Sequence, residues 1–368
     1  MSISNLRKIE SIIRGKKTPL LFLDRGIIRQ KFEELQKAIG NARIYYALKT
    51  NPHWRIVEVL ERLGAGFEIS SEQELNLLLR RGISPEKIIV SNPVKTEACV
   101  ARAYVAGIKL FAIDSSAEVE KISKLAPDSK VYVRLAVSND GSQWPLDKKF
   151  GIETEAAVDL LHEAQKKGLM PYGITFHVGS QCIEIESWVK AIEKSKKVWE
   201  LAMNRGIKLR MLNIGGGFPI KYTEYIPSLK DIGKRIRENI DRLFPKDVEV
   251  FVEPGRVLAG DAGVLVATVI GKAARNGEKW LYLDVGVFNG LMESVGGIKY
   301  PLTSLKDGKF EQWMLAGPSC DSLDVVQSSV LLPDLDIGDH VYILSAGAYT
   351  TAYASRFDGL DIPKMYLL

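Results

Sequence analysis

The sequence is poor in cysteine, has no long uninterrupted apolar run and carries nearly balanced charge. Its three cysteines, Cys99, Cys182 and Cys320, lie far apart in 368 residues, which argues against a disulfide framework and for a reducing, cytoplasmic setting. No apolar run approaches the roughly 20 residues that cross a bilayer, and the first residues lack the apolar core of a signal peptide. We therefore expect neither a secreted nor a membrane protein.

The charges give no sign of a nucleic-acid-binding surface. Fifty lysines and arginines are interspersed with 45 acidic residues, and the net charge of +5 is small for this length. With 46% hydrophobic and 26% charged residues, the chain has the composition of a globular protein with a sizeable core. We expect a small-molecule partner rather than a nucleic acid or a membrane, and no metal site is predicted.

Short apolar segments alternate with helical patterns over the first two thirds of the chain. Gly64, Gly82 and Gly168 stand where three of these helices would end. The eight predicted strands are residues 43–49, 66–70, 88–92, 109–114, 130–137, 173–179, 211–215 and 248–253. Eight parallel-type strands with seven helical connections predict an α/β fold of the (β/α)₈ TIM-barrel type, with an open doubly wound sheet as the alternative.

The pattern changes after about residue 256. Strand-like segments separated by turns replace the helices, as in AGVLVATVIGKAA, KWLYLDVGVF, QWMLAGPSC and DHVYILSAGAY. They predict a mostly antiparallel β domain over residues 256–368, after a barrel domain over residues 27–255. The apolar segment TPLLFLD precedes the barrel, so a strand within residues 1–26 is expected to join the second domain.

Polar and charged residues follow the predicted barrel strands at their carboxyl ends, where the chemistry of TIM barrels collects. In the stretch YYALKTNP, for example, an apolar strand ends abruptly in Lys49. Each residue of this kind has an ordinary structural explanation, but their joint placement at one rim indicates a site. The set comprises Lys49, Glu68, Arg134, His177, Ser180, Gly215–Gly217, Glu253, Gly255 and Arg256.

These residues together suit pyridoxal phosphate (PLP). The segment GGGFP offers backbone N–H groups without side chains, so that a phosphate can approach closely, and Arg256 adds a guanidinium fork. Lys49 supplies an amine for covalent attachment, and Glu253 is placed to meet the pyridine nitrogen. His177 would lie against the ring.

Eight motifs in a fixed order carry a family resemblance over residues 18 to 360. They are YALKTNP, GFEISS, KFGI, HVGSQC, GGGFP, EPGR, GPSCDSLD and GAYT. With them the sequence resembles the fold-type III, alanine-racemase-like PLP enzymes, and within that group the ornithine/diaminopimelate decarboxylases. CDSLD is most similar to the ornithine or lysine/ornithine type, because diaminopimelate-type enzymes usually have a glutamate at the position of Asp321.

The resemblance implies a role for each matching residue. Lys49 binds PLP covalently, His177 stacks on its ring, Glu253 binds the pyridine nitrogen, and Cys320 donates a proton to the substrate. Cys320 and Asp321 would reach the site from the partner subunit of a homodimer with shared active sites. The implied cofactor-binding set is Lys49, Glu68, Arg134, His177, Ser180, Gly216, Gly217, Glu253, Gly255, Arg256 and Tyr349. The implied substrate-binding set is Cys320, Asp321, Tyr349 and Phe357.

The implied reaction is PLP-dependent decarboxylation of a basic amino acid, L-ornithine to putrescine as in polyamine biosynthesis, with lysine as a second substrate. The chain departs from the family at Glu68, which is usually aspartate, and at Gly296-Gly297, where a second acid usually grips the distal amine; Glu293 could compensate. Three alternatives stay open. They are racemisation, decarboxylation of diaminopimelate or a larger modified amino acid, and a non-catalytic homologue.

Overall fold

The computed structural model of the protein describes residues 3–368, which divide into two compact units. The barrel unit comprises residues 29–219 and 227–255, and the sheet unit comprises residues 3–28, 220–226 and 256–368. Residues 220–226 fall inside the predicted barrel domain, but they group with the sheet unit. The reason is Tyr222, whose hydroxyl accepts a hydrogen bond from Arg256 at 2.7 Å and whose ring packs edge-on against Tyr300.

The barrel unit is built on a closed barrel of eight parallel strands, as predicted. The strands are β1 (Arg43–Ala47), β2 (Gly66–Ile69), β3 (Ile88–Val90), β4 (Leu110–Ile113), β5 (Lys130–Arg134), β6 (Met170–Thr175), β7 (Met211–Asn213) and β8 (Glu249–Val252). They pair in chain order, and β8 closes the ring by pairing with β1. This closure excludes the open doubly wound sheet.

Side chains from six of these strands meet inside the barrel. Strands that are not neighbours can share a cluster only in the enclosed interior, so the cluster marks the packed core of the barrel. Its members are Tyr45, Ile89, Ala112, Tyr132, Met211 and Phe251.

Seven helices connect the barrel strands, in agreement with the predicted alternation. Several begin at a hydroxyl cap that accepts a backbone N–H of the first turn, as Ser71, Thr96 and Ser228 do. The connecting helices are Trp54–Arg62, Glu72–Arg80, Glu97–Val105, Ser116–Leu125, Thr154–Lys166, Ile185–Asn204 and Leu229–Leu243, and Arg25–Ile39 precedes β1. Among residues 3–368, no helix combines the length and apolar character needed to cross a membrane.

The sheet unit contains a mostly antiparallel eight-stranded sheet. Seven strands are β9 (Gly263–Arg275), β10 (Glu278–Leu283), β11 (Leu302–Thr303), β12 (Phe310–Ala316), β13 (Val325–Pro333), β14 (His340–Leu344) and β15 (Lys364–Leu367). The eighth is the predicted N-terminal strand, Leu20–Leu23, which pairs antiparallel with β9 and parallel with β15. The helix Ile3–Ile13 packs Leu6, Ile9 and Ile13 on this sheet.

Candidate active site

Lys49 lies just beyond the end of β1. The predicted strand over 43–49 was too long, because the strand ends at Ala47 and Leu48–Thr50 form a 3₁₀ turn. The pairing between β1 and β8 has also ended here, because the Ala47 N–H donates to the carbonyl of Pro254, which lies beyond the end of β8. The turn places the Lys49 ammonium in an ion pair with Glu68 of β2. The lysine side chain is 47% exposed and Glu68 only 1%, so a reactive amine is held by a buried carboxylate at an open rim.

Glu253 follows β8 and is held by side chains from two other strands. Its Oε1 accepts hydrogen bonds from the Ser91 hydroxyl and from Asn213 Nδ2, the latter at 2.5 Å. Ser91 is in turn hydrogen-bonded to the hydroxyl of Tyr132 in the barrel core. Burial, followed by the charge of Glu68, raises the pKa of Glu253 to about 7. The carboxyl group is therefore fixed in orientation and poised to gain or lose a proton near neutral pH.

Ser91 and Asn213 were not among the predicted site residues. Asn213 also accepts the backbone N–H of Gly215 at 2.9 Å, which fixes its amide so that Nδ2 faces Glu253. Both residues stand at or just after the end of a barrel strand, Ser91 after β3 and Asn213 at the end of β7. A systematic search for polar residues at all eight strand ends would have found them.

His177 is a neutral imidazole. Burial, followed by the charges of Arg134 and Lys49, lowers the pKa of His177 to about 3. Its Nδ1 accepts the backbone N–H of Gly179 at 3.0 Å, so the ring proton belongs on Nε2. Asn139 holds the backbone here by donating to the His177 carbonyl at 2.9 Å. The predicted strand over 173–179 ends at Thr175, and His177 lies in the loop that follows.

The glycines after β7 form a turn that only glycine can make. A Cβ added to Gly216 would lie 2.6 Å from the carbonyl oxygen of Glu253, and one added to Gly217 would lie 2.6 Å from that of Gly179. Gly217 also has a φ of +96°. Gly255 is equally restricted, because its Cβ would meet the Thr50 hydroxyl. The turn thus exposes backbone next to Glu253 and His177 without side chains in the way.

Arg134 and Ser180 occupy the same end of the barrel unit. Arg134 is the last residue of β5, and its guanidinium lies 5.3 Å from the ring centre of Phe150. Burial lowers its pKa, whereas the carboxylates of Glu253, Asp114 and Glu68 act in the opposite direction. Ser180 follows the His177 loop and begins a short strand that pairs with Ser142–Trp144.

Arg256 lies in the sheet unit, where a buried carboxylate grips its guanidinium fork. Nη1 and Nη2 donate to the two carboxylate oxygens of Glu293 at 2.6 and 2.5 Å, and Nη1 also donates to the Tyr222 hydroxyl. The ring of Tyr349 lies 4.9 Å from the guanidinium carbon. The fork therefore faces Glu293 in this structure, and Glu293 is committed to Arg256 rather than to a distal amine of a substrate.

The remaining predicted residues of the sheet unit form an exposed group. Cys320 and Asp321 lie in the turn between β12 and β13, and Asp321 accepts the N–H of Leu323 at 2.8 Å. Phe357 packs on Phe288 with ring centres 4.7 Å apart. Cys320 N–H donates to Asp358, the neighbour of Phe357, at 3.0 Å, which brings the two segments together.

Comparison with known proteins assigns the family. Residues 25–260 match the model described as pyridoxal-dependent decarboxylase, pyridoxal binding domain. The chain belongs to the family of pyridoxal-dependent decarboxylases. It is 34% identical to the lysine/ornithine decarboxylase of Selenomonas ruminantium, over 96% of this chain and 90% of that protein. PLP is its cofactor and decarboxylation its chemistry, which confirms the predicted family, enzyme class and cofactor.

Two solved decarboxylases have the same fold. The structure of lysine/ornithine decarboxylase from Vibrio vulnificus with putrescine has a TM-score of 0.92 and 34% identity, and covers 100% of this chain and 99% of that one. The structure of SrLDC with PLP and cadaverine has a TM-score of 0.92 and 32% identity, over 100% and 94% of the two chains. The predicted fold class, a TIM barrel with a mostly antiparallel β domain, is confirmed.

The residues of the barrel unit fit this cofactor. PLP has an aldehyde that an amine can bind and a pyridine nitrogen that a carboxyl group can bind. It also has an aromatic ring that a neutral imidazole can stack on, and a phosphate that a turn without side chains can accept. Lys49, Glu253, His177 and Gly215–Gly217 supply them within one unit.

Proposed function

We propose that this decarboxylase acts on a basic amino acid, ornithine with lysine as a second substrate, and releases putrescine or cadaverine. The names and bound diamines of the related lysine/ornithine decarboxylases support this proposal. The observation that carries it is the fixed carboxyl group of Glu253, because a carboxylate at the pyridine nitrogen favours decarboxylation. An arginine at that position, as in alanine racemases, would favour racemisation instead.

When bound, PLP would supply a sink for the electron pair that is left when the α-carboxylate departs as CO₂. Lys49 would hold the cofactor through its side-chain amine. Glu253 holds the proton at the pyridine nitrogen, and Ser91 with Asn213 keeps its carboxyl group in one orientation. Neutral His177 offers a ring face without placing a positive charge there.

The phosphate contacts are proposed at the glycine turn and at a small set of other residues. Gly216 and Gly217 present backbone N–H groups. Glu293 and Tyr222 fix the guanidinium of Arg256, which supplies positive charge. The proposed set also includes Ser180, Gly255 and Tyr349, and Glu68 with Arg134 completes the cofactor-binding residues.

A homodimer with shared sites follows from the proposed roles of Cys320 and Asp321, which lie exposed in the sheet unit. We expect a mixture of inactive Lys49→Ala and inactive Cys320→Ala subunits to recover about a quarter of wild-type activity. Half of the randomly paired dimers are mixed, and each of these has one intact site of two. The measurement is CO₂ release after subunit exchange verified by mass spectrometry.

The matched control mixes Lys49→Ala with Glu253→Gln. Both residues lie in the barrel unit of one subunit, so the mixed dimer has no intact site and should gain nothing over Glu253→Gln alone. Recovery in this control, or none in the first mixture, would contradict the composite site.

The substrate proposal can be tested at the residues that would bind the distal ammonium of the substrate. With Gly296-Gly297 in place of an acid and Glu293 bound to Arg256, Asp321 remains as the proposed anion for a distal ammonium. The loss of one charge-assisted hydrogen bond costs roughly 1.5–3 kcal/mol, or about ten- to a hundredfold in affinity. We expect kcat/KM for ornithine and lysine to differ by less than about tenfold.

A panel of ornithine, lysine, diaminopimelate and arginine measures this discrimination. Gly296→Asp should shift kcat/KM towards ornithine, and Gly296→Asn, of the same size without the charge, should not. Gly297 is unsuited to the test because its φ is +89°. A thousandfold preference of the wild type for ornithine would refute the proposal, and a clear preference for a longer substrate would favour the alternative of a larger modified amino acid.

A further inference from the structure

The turn that carries Cys320 is held by a buried carboxylate, Asp324. Its oxygens accept the backbone N–H groups of Val287 at 2.7 Å and Ser319 at 2.9 Å. Gly286 and Gly317 make room for it, since a Cβ at either position would lie within 2.3 Å of its Oδ1. These hydrogen bonds therefore fix the position of the Cys320 turn.

A second segment, residues 355–361, is attached to the same part of the sheet unit. Ser355 N–H donates to the Phe288 carbonyl at 2.8 Å, and the Asn289 amide donates to the Asp361 carbonyl at 3.1 Å. Phe357 packs on Phe288. Because both segments are anchored to residues 286–289, the fold holds them in contact with each other.

That contact joins Cys320 to Asp358. The Asp358 Oδ2 accepts the Cys320 backbone N–H at 3.0 Å, which places a carboxylate beside the thiol. Asp358 adopts a φ of 55°, a conformation that aspartate and asparagine tolerate better than most residues. Its hydrogen bond and its charge, with a smaller effect of Asp321, raise the pKa of the Cys320 thiol.

The nearby charges do not offset this effect. Arg356 pairs with Asp361 at 3.8 Å, and Asp361 also pairs with Lys17 at 3.0 Å. The charged groups that act on the Cys320 thiol are Asp358 and Asp321, and both raise its pKa, whereas a backbone hydrogen bond of Cys320 itself lowers it. An anion next to a thiol disfavours the thiolate and preserves the S–H bond.

We propose that Asp358 is a positioning residue that keeps Cys320 as a thiol, ready to donate its proton to the substrate α-carbon. The proposal rests on the proposed function. The bond from the α-carbon to the carboxylate breaks, CO₂ leaves, and the retained electron pair takes the proton from sulfur. The thiolate then regains a proton from water, so nothing is oxidised or reduced.

The test is the pH dependence of alkylation of the holoenzyme by iodoacetamide, with the modified cysteine identified by peptide mass spectrometry. Only the thiolate reacts, and Cys99 and Cys182 are buried, so modification of Cys320 can be followed. Asp358→Asn removes the charge but keeps the side-chain oxygen and tolerates the positive φ, so the turn should remain folded. The matched control is Asp361→Asn, which removes a charge from the same segment.

We expect the midpoint of the Cys320 alkylation profile to shift to lower pH in Asp358→Asn and to stay in place in Asp361→Asn. The alkaline limit of decarboxylation should move by the same amount. An unchanged alkylation midpoint in Asp358→Asn overturns the proposal, and so does a shifted midpoint with an unchanged activity profile. Failure of the proposed function is seen separately, as undiminished CO₂ release from Cys320→Ala with an intact alkylation shift in Asp358→Asn.

Discussion

Lys49→Ala should lose the covalently bound cofactor and reduce decarboxylation by at least about a thousandfold, the scale seen when a covalent catalytic group is removed. Lys49 is the lysine of the turn Leu48–Thr50 that follows β1, and this turn brings its ammonium to Glu68. The loss of the characteristic absorbance band after dialysis, and borohydride reduction followed by peptide mass spectrometry, would measure attachment independently of activity.

Lys49→Arg is the matched variant. It keeps a positive charge beside the buried Glu68, so folding should be preserved, but a guanidinium does not form the covalent bond. Lys87→Ala controls for the removal of a lysine, since Lys87 pairs with Glu61 on the surface, where such pairs contribute little. Activity of Lys49→Arg near the wild-type level would show that the assignment of Lys49 is wrong.

Glu253→Gln should lower kcat about a hundredfold or more while most PLP binding remains. A neutral amide cannot hold a proton at the pyridine nitrogen, and the loss of one preorganised electrostatic group commonly costs about 10²–10³ in rate. The Lys49 amine and the glycine turn, which are proposed to hold the cofactor, should be unaffected. Single-turnover CO₂ release measures the chemical step, and unchanged kcat would refute the role of Glu253.

A stability measurement separates this effect from misfolding. Because burial and Glu68 raise the pKa of Glu253 from 4.5 to about 7, stability falls as the pH rises through this interval, and the full cost of the ionised carboxylate is present at pH 8. Glutamine stays neutral and still accepts from Ser91 and Asn213 through Oε1. Cofactor-free Glu253→Gln should therefore unfold at pH 8 at a temperature no lower than the wild type, and a much lower Tm would assign the kinetic loss to misfolding.

The barrel could be predicted from the sequence because its eight buried strands appear as eight short apolar segments with helices between them. The residues at which the strands end could not be predicted, as the segment 173–179 shows. Phe176 and Val178 are as buried as strand residues, yet the strand ends at Thr175 and the chain turns to present His177. An apolar pattern indicates buried residues, and residues of the loop stay buried after the hydrogen bonds between the strands have ended.

The residues proposed to meet the cofactor can be named from the sequence more easily than the residues that hold them in place. Asn213 meets Glu253 through the pairing of β7 with β8, whereas Ser91 meets it across the closed barrel, and neither contact leaves a local mark in the sequence. Glu293 illustrates the same limit, since its partner Arg256 is 37 residues away and makes it a buried ion pair rather than a substrate contact. The strand β13, rich in serine at its centre, was missed for lack of clear alternation.

Main-chain contacts after β7 and β8 fix the distance between the two segments that follow these strands. Glu253 N–H donates to the Gly215 carbonyl at 2.7 Å, and the Gly216 backbone packs against the Glu253 carbonyl. In the proposed site one of these segments meets the phosphate and the other the pyridine nitrogen. The separation of these two segments is then a property of the main chain, and a side-chain substitution can change the span only through the length of the residue at position 253. A larger increase, as a cofactor with a longer phosphate arm would need, would require an insertion in the backbone after β7 or β8.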